Sequence, residues 1–253
     1  MIELTVRDAV AEIVLNAPDK LNALSLDALG ALDAAYAEAA AAGVRALMLR
    51  GEGRAFCAGR DIAGVDPETD DVPGYLGAVA SLMRRMADFP APTFAAVQGA
   101  CLGVGLGLAI ATDVVYVADT AKLGSPFANL GALLDSGGHA LLYERLGAHR
   151  ALDLIYTGEL MSGAEAVAAG LFSRAVAADE VRDFTRERAL RAASGPTAAF
   201  LASKRLIAGF RDERLWSTLG EEACAQEGLR GTADYREGFA AFQQKRRPEF
   251  TGA

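Results

Sequence analysis

Two short stretches carry the residue types that chemistry at a carbonyl needs. Ala55-Phe56-Cys57-Ala58-Gly59-Arg60-Asp61-Ile62 and Val97-Gln98-Gly99-Ala100-Cys101-Leu102-Gly103-Val104-Gly105-Leu106-Gly107 each follow a strand-like apolar run. Each is built from small residues, which let another backbone or a ligand approach closely. Two such turns in one chain predict a pair of exposed backbone N–H groups converging on one oxygen. That arrangement holds a polarised thioester carbonyl as it becomes an enolate. The plainer alternative is close packing of a helix on a strand. A third feature is Asp135, ahead of Ser136-Gly137-Gly138 and the apolar run Ala140-Leu141-Leu142. By pattern alone an Asp there is a helix N-cap. In an apolar pocket the same carboxylate would have its pKa raised and could carry a proton.

Other candidates carry less. His139 and His149 are the only histidines, and their spacing supports no metal site. His139 sits one turn from Asp135 and could tune it, or simply pack locally. Cys57 is small and lacks a base that would make it a nucleophile. Asp61 is expected to accept backbone N–H bonds and shape its turn. Gly103-Val104-Gly105-Leu106-Gly107 lacks the glycine spacing and downstream acid of a dinucleotide site, and no phosphate-binding loop is present.

The elements that must position these residues are an α/β set. Ile2–Val6 and Val10–Leu15 alternate as a hairpin does. Residues 22–42 predict a helix with Ser25 as N-cap, Leu29, Leu32 and Tyr36 on one face, and Gly43 at its end. Strands are expected at 46–49, 93–97, 114–117 and 171–176. The polar stretch 66–74 reads as a mobile loop leading into a helix over 75–88. Ser162-Gly163-Ala164-Glu165 has capping-box form. After Asp179 strands stop, and helical runs follow at 179–193, 197–209, 212–229 and 234–244. A boundary is placed near 195, at Gly195-Pro196, between an α/β core (1–194) and a C-terminal helical region (195–253).

Composition bounds the partners. A chain of 253 residues, 52% hydrophobic, buries a sizeable core. Its formal net charge of −8 argues against nucleic acid and anionic membrane. Three cysteines, an odd number at no metal-like spacing, read as reduced thiols of a cytoplasmic protein. The start, Met1-Ile2-Glu3-Leu4, is strand-like and charged, unlike a signal peptide. The uncharged run 93–112 approaches the ~20 residues of a spanning helix. Four glycines break it into strand, turn and helix.

Taken together and in order, several pieces resemble the crotonase superfamily of enoyl-CoA hydratases and isomerases over nearly the full length. They are Pro18-Asp19-Lys20-Leu21-Asn22-Ala23-Leu24, the two small-residue turns, Gly124-Ser125-Pro126, Asp135-Ser136-Gly137-Gly138, Gly195-Pro196 with Lys204, and Glu237-Gly238-Phe239 through Arg246-Arg247-Pro248-Glu249-Phe250. The resemblance implies a spiral of ββα units, a C-terminal helical region that builds trimers or pairs of trimers, and an acyl-CoA thioester ligand. It implies no metal or redox cofactor, since CoA is part of the substrate. It places the first oxyanion donor at the N–H of Ala58 and the second at the N–H of Val104, a position that is often glycine. It matches Lys20, Leu21, Ala23, Gly59, Arg60, Asp61 and Ile62 to segments that contact CoA, and Phe127 to the acyl pocket.

The family's two water-adding glutamates match Gly107 and Phe127, neither of which can move a proton. Family members that shift dienoyl double bonds, or isomerise ring-derived CoA thioesters in aromatic-acid catabolism, carry an aspartate where this chain has Asp135. The resemblance therefore points to an isomerase with Asp135 as acid/base. The alternatives are an enoyl-CoA hydratase and a non-catalytic acyl-CoA binder. Lys20 reads either as a phosphate contact or as a solvated loop charge. Lys245-Arg246-Arg247 reads as a solvated helix end or as a basic lip for CoA. Leu130, Leu133 and Leu134, with residues 66–82, are expected to shape the acyl pocket.

Overall fold

The computed structural model describes residues 2–253, apart from the side chains of residues 211 and 212. Strands β1 (Ile2–Arg7) and β2 (Val10–Leu15) form the predicted hairpin. Asp8 and Ala9 both take left-handed φ, 52° and 60°, the geometry that a two-residue turn needs to match strand twist. Helix α1 (Leu26–Ala41) follows, capped by the Ser25 hydroxyl, which accepts from the Ala28 amide. The helix starts later than residue 22 because Leu21 and Asn22 are left-handed. The buried Asn22 side chain instead accepts from the Ala17 amide and donates to the Glu52 and Ala55 carbonyls.

Then a unit repeats. β3 (Ala46–Gly51), β4 (Ala55–Cys57) and α2 (Val72–Ala87) form one turn of the spiral. β5 (Thr93–Val97), β6 (Ala100–Leu102) and α3 (Val104–Ala111) form the next. β7 (Val114–Ala118) and β8 (Lys122–Gly124) begin a third, closed by α4 (Gly138–Thr157). Within each unit the first strand joins a six-stranded sheet, β1-β2-β3-β5-β7-β10, and the second joins a four-stranded sheet, β4-β6-β8-β9. Here β9 is Met161–Ser162 and β10 is Arg174–Val176, shorter than the expected 171–176. The short helix α5 (Gly163–Ala168) lies between them and opens with the predicted capping box of Ser162 and Glu165. The uncharged run 93–112 is β5, β6 and α3. Among the described residues no helix is long and apolar enough to cross a membrane.

The inner, parallel strands β2, β3, β5 and β7 are buried on both faces, as parallel strands are, while the antiparallel edge strand β1 is largely exposed. Ala11, Ile13, Leu47, Leu49, Ala95 and Val97 face the main core beneath α1, α2 and α3. Val10, Ala46, Met48, Phe94 and Tyr116 face α6 (Val181–Ala193). Two expectations need correction. Residues 197–209 and 212–229 are one continuous helix, α7 (Thr197–Leu229), before α8 (Ala233–Gln243). The 66–74 stretch is tied down: Asp70 pairs with Arg60, and Arg230 donates to the Glu68 and Asp70 carbonyls. The following helix begins at Val72, with the Asp71 side chain accepting from the Gly74 amide.

Candidate active site

β4 and β6 are parallel neighbours with Cys57 opposite Cys101, so the turns that follow them lie side by side. Glycine suits both turns, by a tight approach at Gly59 and by positive φ at both. At Gly59, φ is 105°, and an added Cβ would sit 3.1 Å from the Leu102 carbonyl oxygen. At Gly103, φ is 53°, and an added Cβ would lie 3.9 Å from the Gly59 Cα and 3.5 Å from the Phe127 ring. The two turns that the sequence singles out therefore meet. Ala58, Gly59, Val104, Phe127 and Asp135 line one cavity of about 570 Å³, with Arg60, Ile62 and Tyr75 beside them.

The two amides are not equivalent. The Val104 N–H opens α3, where the helix supplies no acceptor and the dipole is positive. The Ala58 N–H donates to the Leu21 carbonyl at 2.9 Å. The expected pair of unclaimed donors is thus corrected: the left-handed Leu21 turns its carbonyl onto one of them.

Asp135 sits between a 3-10 turn (Phe127–Leu130) and α4, where Ser136 and Gly137 are left-handed in succession. Its Oδ1 accepts from the Ser136 hydroxyl at 2.7 Å. Burial pushes the carboxyl up to about 7. The Ser136 hydrogen bond and the charges of Arg60 and His139 oppose that rise, and Glu222 adds to it. Asp135 is not the cap of α4. The amides of Gly137 and His139 donate to the Glu222 carboxylate, at 2.7 and 3.0 Å. Arg60 is spent on other partners. It pairs with both Asp70 oxygens, at 2.9 and 2.5 Å, and lies 4.2 Å over the Tyr75 ring. The Tyr75 hydroxyl in turn donates to the Leu24 carbonyl.

Lys20, Leu21, Ala23 and Asp61 stand outside the cavity wall. The segment 20–24 is tied to the turn after β4. Lys20 Nζ pairs with Asp61 at 2.8 Å, Leu24 N–H donates to Gly59, and Asp61 N–H donates to Leu24. The Asp61 side chain also accepts from Ala63, as expected for a turn-shaping residue. Leu130 lines the cavity, but Leu133 faces a separate groove with His139, and Leu134 packs on Gly138. Arg246 and Arg247 do reach the cavity, although Glu237 holds Arg246 through two hydrogen bonds. At Gly107 a Cβ would fall 2.7 Å from the Ser136 Cβ, so the space of a longer side chain is already filled.

Sequence reasoning missed the C-terminal helices' share of the site. Tyr235, Phe239 and Phe242 from α8 and Gln226 from α7 complete the cavity wall. Glu222 and Gln226 did leave a signal. With Leu215 and Leu219 they form one buried stripe on α7, and two polar residues in a core stripe need a polar reason.

The enoyl-CoA hydratase/isomerase family model matches residues 5–253. The 1,2-epoxyphenylacetyl-CoA isomerase of Escherichia coli (strain K12) is 34% identical over 254 residues, covering 98% of this chain and 97% of that one. The mitochondrial enoyl-CoA hydratase domain-containing protein 2 of Bos taurus is 35% identical over 251 residues, covering 96% of this chain and 84% of that one. The crystal structure of an enoyl-CoA hydratase from Mycobacterium avium subsp. paratuberculosis K-10 superposes with a TM-score of 0.90 at 32% identity, covering 99% and 98% of the two chains. With this match, a sheet pair wound from ββα units and a cavity at the meeting of two glycine turns, the chain belongs to the enoyl-CoA hydratase/isomerase family.

Proposed function

We propose that this protein isomerises a double bond or strained ring conjugated to a CoA thioester. The observation that carries this reading is Asp135: a cavity-lining carboxyl hydrogen-bonded to one hydroxyl and pushed by burial up to about 7. Near neutral pH such a group has both forms at hand and serves first as base, then as acid. In the double-bond shift, Asp135 takes a proton from a carbon conjugated to the thioester. The C–H electron pair moves through the conjugated system onto the thioester oxygen. The Val104 N–H stabilises that oxygen, and the Ala58 N–H joins once the acyl oxygen shares it with Leu21. Asp135 then returns the proton to a different carbon, the thioester carbonyl re-forms, and the double bond has moved. Atoms and charge balance without a cofactor.

Water addition uses two positioned carboxylates; the resemblance matches Gly107 and Phe127 to them, and neither Phe127, which lines the cavity, nor the buried Gly107 carries an acid. The name of the Escherichia coli relative, an isomerase of a ring-epoxide thioester, favours a ring-derived acyl group. Arg246 and Arg247 at the cavity suit the CoA phosphates. Two buried cysteines and a third, all unpaired, support a reducing cytoplasmic setting. The outward apolar side chains of Leu206, Ile207 and Phe210, the last 92% exposed, support assembly into trimers through α7.

The test compares the wild type with Asp135→Asn on dienoyl and oxepin CoA thioesters and on crotonyl-CoA. The expected result is isomerisation by the wild type, lost by ~10²-fold or more in the variant. Crotonyl-CoA hydration at the rate of a true hydratase would overturn the reading. So would wild-type turnover by the variant. Tight acyl-CoA binding without turnover would mark a non-catalytic binder.

A further inference from the structure

We propose that Glu222 is a positioning residue for Asp135, gripping the loop that carries the acid from a helix 85 residues further along the chain. The inference rests on the reading of Asp135 as the acid/base. Glu222 lies on α7 with 3% of its surface exposed and, among the described residues, has no Lys or Arg partner; both its oxygens are committed to the loop and α4 start. Oε2 accepts from the Gly137 amide at 2.7 Å. Oε1 accepts from the His139 amide at 3.0 Å and lies 2.8 Å from the His139 Nδ1. One turn further along α7, Gln226 Oε1 accepts from the Leu133 amide at 2.7 Å. The backbone is therefore pinned two residues before Asp135 and two residues after it.

The loop needs such a grip. Ser136 and Gly137 are left-handed in succession, a conformation an L-residue resists, and α4 has no side-chain cap of its own. Glu222 supplies that cap from outside the helix, where a carboxylate meets free amides and the positive end of the dipole. Its charge also acts on the acid itself. Around Asp135 stand Arg60 from the β4 turn, Tyr75 from α2, His139 from α4 and Tyr235 from α8. The Glu222 charge raises Asp135, in the same sense as burial. On the far side, Tyr143, Arg214 and Glu221 line the groove that His139 and Glu222 share.

The test uses full-length Glu222→Gln and Glu222→Asp. In Glu222→Gln, kcat for isomerisation should fall ~10-fold or more with KM for the acyl-CoA held within about 2-fold, because a displaced acid impairs the chemical step rather than binding. The acidic limb of kcat/KM should move to lower pH, since a neighbouring negative charge is gone. Glu222→Asp keeps the charge, so its limb should stay in place while kcat falls less. Hydrogen exchange reads the grip without turnover: the Gly137 and His139 amides should exchange ~10-fold faster or more in Glu222→Gln, with α1 amides unchanged. Wild-type kcat and an unmoved limb in Glu222→Gln would overturn the proposal, even if those amides exchange faster. If Glu222→Gln does not fold, protected amides and wild-type kcat in Glu222→Asp would overturn it. Should Asp135→Asn prove fully active, the acid/base reading fails by itself, and the exchange experiment still decides whether Glu222 holds the loop.

Discussion

Glu12 and Asp135 are both carboxylates drawn out of water, yet their proton affinities move in opposite directions. Glu12 projects from β2 toward α6. Burial by itself would raise its pKa. Its hydrogen bond to Arg50 at 2.6 Å and the charges of Arg186, Arg50 and Arg182 overturn that and hold it below the usual carboxylate range. Arg50 is shared in turn with Glu52. Asp135 is desolvated without a cation of its own among the described residues, because Arg60, which lines the same cavity, is spent on Asp70. One of these acids braces the fold, and the other is left able to trade a proton. Saturation by arginine makes the first, and a shortage of it makes the second.

The contrast can be broken at either end. The largest effect is expected at Asp135, where Asn should cost ~10²–10⁴-fold in isomerisation rate while acyl-CoA binding stays near wild type. Glu12→Ala should do the reverse. It leaves Arg50 buried beside an empty site, lowering stability by about 3 kcal/mol in denaturant unfolding, with kcat within about 2-fold of wild type. The pH dependence follows from the signs. Glu12 has a lowered folded-state pKa, so its contribution is present above the ordinary carboxylate pKa and lost as pH falls through the folded value. A thermal scan between pH 6 and pH 3 should show the wild type losing more stability than Glu12→Gln does.

A smaller effect sharpens the claim about water chemistry. Gly107→Glu places a carboxylate where the family resemblance matches a water-adding glutamate. Its Cβ would press on Ser136 at 2.7 Å. The expected outcome is a loss of about 1–3 kcal/mol of stability and no gain in crotonyl-CoA hydration. The smallest effect is again at Asp135, now in stability. Its raised pKa means that the fold is penalised as pH climbs past the ordinary carboxylate value toward about 7. Asp135→Asn should therefore raise Tm at pH 8 by about 2 °C or more relative to the wild type, and not at pH 4.

Much of the positioning frame was legible because it depends on local chemistry. The hairpin, the Ser25 cap, the Ser162–Glu165 capping box and the paired glycine turns each have a short-range cause in the chain. The break at Gly195-Pro196 also separates α6 from α7. What escaped depends on distant partners or on rare backbone angles. The left-handed Leu21 sends its carbonyl to the Ala58 amide, and no residue type announces that. The helical runs on either side of residue 210 looked separate because Leu206, Ile207 and Phe210 are apolar yet face outward, so the amphipathic pattern fails where the backbone continues. Asp70 looked like part of a free polar loop until Arg60 was found to hold it. Asp135 itself was visible, but its freedom from capping duty was not, because the cap comes from Glu222 on another helix.

In the proposed reaction one carboxyl moves a proton between carbons of a thioester. Solvent deuterium incorporation measures it most directly. A dienoyl-CoA incubated in heavy water with the wild type should gain deuterium at carbons conjugated to the thioester, and the signal should vanish with Asp135→Asn although the ligand still binds. Deuterium entering at the same rate in that variant would contradict the account.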